Sequence, residues 1–420
     1  MNYRIYPPDG ILETSVTVPL SKSESNRALI INALGGYGTD LTVARCSDTE
    51  AVQKALASTE AGEINVGNAG TAMRFLTAYF AMQEGRVVTL TGDDRMCKRP
   101  IGPLVTALRA CGASIAYMGE EGFPPLRITG RLLEGGEVSV DSSMSSQFVS
   151  ALLMIAPYMR CGLQLSLGDA VVSKPYMDLT VALMLKAGAE VDSEDGIITV
   201  KAGGYDKPVT RVGADWSAAA FWLEMVAVSS GFVTLRGLDK KSVQGDRAAM
   251  NLFGQLGVSC SDEPENDEDI ELCGNPDVAP RLTLDMSDTP DIVQAAAVAC
   301  ALTGVPFMFT GVSTLRIKET DRIEALRGEL FKLGIEIEAG TDYIAWGGRR
   351  MPIAEMPEFD TYGDHRMAMA FAPVALYIPG VVIRDVDVVN KSYPDYWEHL
   401  RQAGFVTEDA DTYTEEGEDS

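Results

Sequence analysis

The stretch Leu104 to Met118 reads LVTALRACGASIAYM: an apolar helical run, a glycine, then a short alternating strand. Alone it is ordinary, but it recurs. VALMLKAGAEVDS, MNLFGQLGVSCSD, RGELFKLGIEIEA and WEHLRQAGFVTED repeat the pattern, and VQKALASTEAGEINV is a weaker early copy. The marker glycines are Gly112, Gly188, Gly257, Gly334 and Gly404, spaced by 76, 69, 77 and 70 residues, with Gly62 in the weak copy. A glycine there lets a helix C-terminus turn through the left-handed region before a strand. Six copies of about 70 residues account for the whole chain of 420.

A second helix type also occurs six times: SESNRALIINAL, AGTAMRFLTAYFAM, SSQFVSALLMIAPYM, DWSAAAFWLEMVAV, TPDIVQAAAVACAL and GDHRMAMAFAPVAL. Each is apolar nearly all round, which suits a helix buried on every side, and each opens on polar residues able to cap it. Segments such as GRVVTLTG, GLQLSLG, GFVTLRG and GVVIRDV read as strands bounded by glycine. Three such units per half predict two similar α/β domains with helices inside and sheets outside.

Composition narrows the function. The net charge is −25, which argues against nucleic acid and anionic membrane as partners. The charge is uneven: residues 21–213 carry 18 Lys+Arg against 21 Asp+Glu, a net of −3, leaving −22 elsewhere. The tail TEDADTYTEEGEDS (407–420) holds seven acids without apolar periodicity, and disorder is expected there. The N-terminus lacks the pattern of a secretory signal, and the apolar stretch Ile292 to Phe309 is broken by Gln294, Gly304 and Pro306. Seven scattered cysteines without CxxC pairs suit a reducing cytoplasm, and two histidines make a histidine-built metal site improbable.

Polar residues gather at helix starts. Lys22, Ser23 and Arg27 open the first buried helix, VGNAGTAMR (66–74) the second and SMSSQF (143–148) the third. Outer segments begin RMCKRPIG (95–102), VSKPY (172–176), RIKETDR (316–322) and NKSYPDY (390–396). Helix N-termini offer free N–H donors and partial positive charge, which suit phosphate or carboxylate. Each feature alone has a bland alternative. Lys22 or Arg27 could be solvated helix-end cations, Ser145 and Ser146 simple caps, DHR at 364–366 a capping aspartate before a salt-bridged arginine. GNAGT matches no nucleotide-binding fingerprint. The same dressing at so many repeated helix starts is what the bland reading does not explain.

SKSESNR, GNAGTAMR, RPIG, SSQF, SKPY, KETDR and GDHRMAM, in this order, resemble the 5-enolpyruvylshikimate-3-phosphate synthase family over about residues 1–406. The resemblance implies two inside-out α/β barrel domains, each of three βαβαββ-like units with buried helices. It divides the chain into 21–213, mainly binding shikimate-3-phosphate, and 1–20 plus 214–406, mainly the phosphoenolpyruvate side with the candidate base. It implies enolpyruvyl transfer between those two small molecules without metal or organic cofactor, in a cytoplasmic monomer. It assigns Lys22, Ser23, Arg27, Ser145, Ser146, Gln147, Ser173, Tyr176, Asp291 and Lys318 to shikimate-3-phosphate. Lys22, Asn68, Gly70, Thr71, Arg99, Gln147, Arg322, Arg366 and Lys391 surround phosphoenolpyruvate, with Arg74 in the same constellation. Asp291 is the expected base on the 5-hydroxyl; Glu319, Lys22, His365 and Lys391 complete the catalytic set. Leu20, Phe75 and Thr314 depart from the family pattern: Gly is usual at the first, many members have Pro at the second and some have Asn at the third. The alternatives are the sibling transferase acting on UDP-N-acetylglucosamine, whose reactive-cysteine spacing Cys97 does not match, and a non-catalytic anion-binding protein, which would not need Asp291 and Glu319.

Overall fold

The computed structural model describes residues 1–59, 62–140, 145–168, 172–194, 196–261 and 268–412. The chain forms two compact units. One comprises residues 20–213 and the three-residue finger Val243–Gly245; the other comprises Met1–Pro19, Ala214–Ser242 and the chain from Asp246 on. The finger, expected with the second half, groups with the first because Gln244 Nε2 donates to Glu24 Oε1 at 2.9 Å.

Three buried helices form the interior of the 20–213 unit: α1 (Lys22–Leu34), α2 (Gly70–Met82) and α3 (Ser146–Ile155). The other unit has α4 (Trp216–Ser229), α5 (Val293–Thr303), the outer α6 (Arg322–Lys332) and the buried α7 (His365–Phe371). Every residue of α5 from Val293 to Leu302 is buried. Burial on all faces is what the uninterrupted apolar sequence demands, because no face could meet water without loss. Side chains from sheets and helices merge into one apolar core per unit.

The sheets repeat as the helices do. Gly62–Asn65 runs parallel to Val87–Thr91, which pairs antiparallel with Leu126–Thr129, and that strand with Ser114–Tyr117. Val88, Leu90, Leu126 and Ile128 point inward at 0–1% exposure, so strand alternation sets each sheet as a lid over buried helices. The same order of one parallel and two antiparallel pairings recurs in four further sheets, two units thus sharing one plan. The fifth is closed by the first strand, Tyr3–Tyr6, lying between Val381–Ile383 and Val406–Asp409. Among the described residues no four-stranded sheet accompanies the first repeat, the one containing α1.

The five strong marker glycines all take positive φ, between 71° and 99°. Gly62 does not; it begins a strand, which is why its copy reads weakly. One expectation needs correcting. The tail does not lose structure at 407: Thr407–Asp409 continue a strand, with Tyr3 opposite Asp409 and Ile5 opposite Thr407, and Ala410–Thr412 form a helical turn. The acidic side chains tolerate this because the strand lies at a sheet edge, where charge is acceptable. The remainder of the tail lies outside the described residues, as do Ser143 and Met144 of the SMSSQF motif.

Candidate active site

In the 20–213 unit, α1 starts at Ser21, whose side chain accepts the Glu24 amide and leaves the Lys22 and Ser23 region as an open helix start. Lys22 Nζ lies 3.1 Å from Asp48 Oδ2. Arg27, one turn on, is 2% exposed. Its Nε donates to Thr180 Oγ1 at 2.7 Å, Nη1 to the Ser23 carbonyl at 2.9 Å, and Nη2 to Ser150 Oγ and the Tyr176 carbonyl at 3.2 and 3.1 Å. These are neutral oxygens, so burial lowers the guanidinium pKa to about 10, against the pull of Tyr176 and Glu24. The Phe75 ring lies 5.2 Å from the guanidinium carbon and Tyr176 at 5.9 Å. The departure at Phe75 thus supplies a cation–π contact to Arg27.

Arg99 is 7% exposed, and its Nε and Nη1 are buried with no hydrogen-bond partner among the described residues. It lies directly over Gly70 at the start of α2: a Cβ at that position would sit 2.9 Å from Nη1 and 3.2 Å from Cζ. Arg74 staples this arrangement, donating from Nη2 to the Pro100 carbonyl at 3.0 Å and from Nη1 to the Gly70 carbonyl at 3.3 Å. Gln147 Nε2 donates to Thr71 Oγ1 at 3.3 Å, bringing the α3 and α2 starts together. Ser145 Oγ caps α3 through the Gln147 amide, and Ser146 follows at 6% exposure. Ser173 opens the helix Lys174–Lys186 in the left-handed conformation, φ 55°, and its carbonyl accepts the Tyr176 amide. Asn68, half-buried, precedes α2.

The second unit gathers the rest. Arg322, first residue of α6 and 1% exposed, reaches three carboxylates: Asp364 Oδ2 from Nε at 2.6 Å, Glu319 Oε2 from Nη2 at 2.9 Å and Asp291 Oδ1 from Nη1 at 2.9 Å. Burial disfavours its charge, but Asp364, Glu319 and Asp291 outweigh it and raise its pKa. Asp291 also meets Arg366 Nη2 at 3.2 Å and Lys318 Nζ at 3.5 Å, and its carbonyl accepts from Arg366 Nη1 at 2.7 Å. Burial pushes its pKa up, yet Arg366, Lys318 and Arg322 hold the carboxyl well below the usual range. Lys391, 7% exposed, stands 3.9 Å from Glu319, and His365 Nδ1 is 3.5 Å from Asp364 Oδ1. Thr314 is buried in the turn Ser313–Ile317 that precedes the cluster.

The expected site residues therefore fall into two groups, Lys22 to Tyr176 in one unit and Asp291 to Lys391 in the other. Several groups went unforeseen. Asp364 is more than the cap read from DHR: Oδ1 accepts the Arg366 amide at 2.9 Å while the carboxylate grips Arg322. Asp48, at the start of the helix Ser47–Ala57, pairs with Lys22; only its acidic place in CSDTE hinted at it. Asp246, 2% exposed, accepts the Ser217 hydroxyl, and burial followed by the nearby Asp291 charge pushes its pKa up to about 6.

Cations at helix starts, a carboxylate kept ionised among them and an α/β frame of six sequence repeats in two units define a protein that handles small, multiply charged anions and can move a proton beside them. The family profile described as EPSP synthase (3-phosphoshikimate 1-carboxyvinyltransferase) matches residues 43–400. A 3-phosphoshikimate 1-carboxyvinyltransferase of Bacteroides fragilis is 46% identical over 96% of this chain and 98% of its own. One of Methanoculleus marisnigri is 35% identical over 94% and 98%. A solved EPSP synthase of Acinetobacter baumannii shares the fold, with a TM-score of 0.75 and 24% identity over 97% of this chain and all of that one. The chain belongs to the EPSP synthase family.

Proposed function

We propose that this enzyme transfers the enolpyruvyl group of phosphoenolpyruvate to the 5-hydroxyl of shikimate-3-phosphate and releases phosphate. The observation that carries the reading is Asp291, a carboxylate held ionised by Arg322, Arg366 and Lys318 at the start of a buried helix. In this reading Arg27, Ser23, Ser145, Ser146, Gln147, Ser173, Tyr176 and Lys318 hold shikimate-3-phosphate. Lys22, Asn68, Gly70, Thr71, Arg99, Arg322, Arg366 and Lys391 serve phosphoenolpyruvate.

Asp291 takes the hydroxyl proton as the oxygen attacks C2 and C3 gains a proton from an acid. C3 then gives up a proton as the C2–O bond to phosphate breaks, so the ketal collapses to the enol ether. Glu319, Lys22 and Lys391 are the groups for the C3 proton, with His365 fixed against Asp364. In the unliganded protein Asp291 is a weak base, since three cations stabilise its charge. Anionic substrate gives Arg322 and Arg366 competing partners, and losing their grip raises Asp291 basicity just when a proton must be accepted. Arg99, with buried N–H groups unpartnered, has donors ready for an anion.

A cytoplasmic monomer is the proposed state. None of the seven cysteines forms a disulfide among the described residues, which suits a reducing compartment, and among the described residues no helix is long and apolar enough to cross a membrane. The test follows phosphate release from phosphoenolpyruvate with and without shikimate-3-phosphate, and with UDP-N-acetylglucosamine in its place. Release that requires shikimate-3-phosphate is expected; release only with the nucleotide sugar, or none, rejects the reading.

A further inference from the structure

Arg322 and Glu329 stand seven residues apart on α6, two turns along one face. Both hold the same neighbouring segment, Glu358 to Asp364. Arg322 grips Asp364 at one end. In the middle, Glu329 Oε1 accepts the Tyr362 hydroxyl at 2.7 Å and Oε2 accepts the Asp360 amide at 3.0 Å. At the far end Lys332 Nζ donates to the Glu358 carbonyl and to Glu329 Oε2, both at 2.7 Å, and lies 3.3 Å from Asp360 Oδ2. The segment thus runs antiparallel to α6, its even-numbered residues laid against the helix.

Two features mark this as a built strap rather than incidental surface pairing. The Glu329 side chain is wholly buried, and a buried carboxylate is tolerated only when donors satisfy it. Tyr362 adopts φ 54°, a conformation that a bulky residue keeps only where its surroundings hold it. The residue is 47% exposed, so burial is not what holds it; the hydroxyl bond to Glu329 is the anchor. Directly after this turn come Gly363, Asp364 and α7, which delivers His365 and Arg366.

We propose that Glu329 and Tyr362 are positioning residues for the phosphoenolpyruvate-binding arginines. They fix the turn that places Asp364 on Arg322 and, through the Asp364 cap on α7, places Arg366 on Asp291. When the anchor is lost the turn relaxes toward an ordinary backbone conformation, and both arginines shift together. The groups on α1, α2 and α3 do not depend on this strap. The kinetic half of the test rests on the proposed enolpyruvyl transfer; the structural half does not.

Tyr362→Phe keeps the ring and deletes the hydroxyl, and Glu329→Gln keeps shape and deletes charge. Steady-state kinetics and hydrogen exchange by mass spectrometry are measured on the full chain. The expected result is a KM for phosphoenolpyruvate raised about fivefold or more, with KM for shikimate-3-phosphate within about twofold of wild type. Amides of residues 358–366 exchange about tenfold faster while those of residues 20–213 keep their rates. Unchanged exchange in 358–366 of Tyr362→Phe overturns the proposal whatever the kinetics, and so does an equal rise in both KM values. Should Glu329→Gln fail to fold, Tyr362→Phe alone decides. A wild-type chain that releases no phosphate counts against the transfer reaction, and the exchange result still judges the strap.

Discussion

Arg99 and Arg322 are both almost fully buried, yet they live in opposite electrostatic surroundings. Arg99 lies against the bare backbone of Gly70 with Nε and Nη1 unpartnered among the described residues, and Arg27 of the same unit meets neutral oxygens. Arg322 is saturated by three carboxylates. An arginine without anionic partners costs the unliganded protein free energy and returns it when an anion arrives. An arginine inside a carboxylate cluster instead stabilises the fold and keeps those carboxylates ionised. In the proposed reading Arg99 stands ready for an anion, whereas the carboxylate cluster around Arg322 keeps Asp291 ionised until substrate arrives.

Making the same substitution in both regions gives the largest contrast. Arg322→Met leaves Asp364, Glu319 and Asp291 without their shared cation and should cost about 3–5 kcal/mol of stability. Arg99→Met should be neutral or slightly stabilising in the absence of ligand, while raising KM for phosphoenolpyruvate about tenfold or more. Urea titrations and steady-state kinetics on both variants check this. Equal destabilisation would erase the distinction drawn between the two regions.

Next in size is Asp291→Asn, which retains volume and hydrogen bonding but not basicity. Turnover should drop by roughly 10²-fold or more while KM for shikimate-3-phosphate changes little. Near-normal kcat with a lower melting temperature would reduce Asp291 to a structural carboxylate and move attention to Glu319.

Gly70→Ala probes the other side at lower cost. The new methyl would crowd the Arg99 guanidinium at 2.9 Å, and the flexible end of the side chain must yield by a few tenths of an ångström. KM for phosphoenolpyruvate should rise about fivefold with stability almost unchanged. An unaltered KM would mean that the Arg99–Gly70 contact is irrelevant to the anion.

The smallest effect concerns Asp246. Its pKa is raised to about 6 by burial and then by Asp291. The unfolded chain loses this proton near pH 4, the folded one near 6, so the group lowers stability as pH rises through that window. Asp246→Asn should raise the melting temperature at pH 8 by about 2 °C or more and leave it unchanged at pH 4. A gain of equal size at both values would assign the effect to packing instead of charge.

The repeat was legible because each copy must end its helix in the left-handed region, and only glycine does so freely: Gly112 and Gly404 announce it at φ 99° and 91°. The buried helices were legible through their lack of a polar face. The motif residues at helix starts were legible because capping and anion binding call for the same small hydroxyl and amide groups. What could not be read was who meets whom. Thr180 and Ser150 come to Arg27 from more than a hundred positions away, and nothing local distinguishes them from other hydroxyls. Asp364 looked like a cap and is one; its grip on Arg322 depends on the fold of a separate helix. The tail misled because edge strands tolerate acidic residues that composition associates with disorder.

The first strand pairs with residues near the other end of the chain, Tyr3 with both Ile383 and Asp409, while Glu13–Thr17 waits for Phe232–Arg236. Between them lies the 20–213 unit, whose ends meet where the Ser21 amide donates to the Gly213 carbonyl at 2.7 Å. A ribosome therefore delivers residues 20–213, all of that unit but the Val243–Gly245 finger, while the opening strands still hang unpaired. At ordinary elongation rates the first strand waits about 20–80 s for its last partner. Until residues 381–383 emerge both of its hydrogen-bonding edges stay open, so residues 3–6 are an unpaired edge that a holding chaperone could cover.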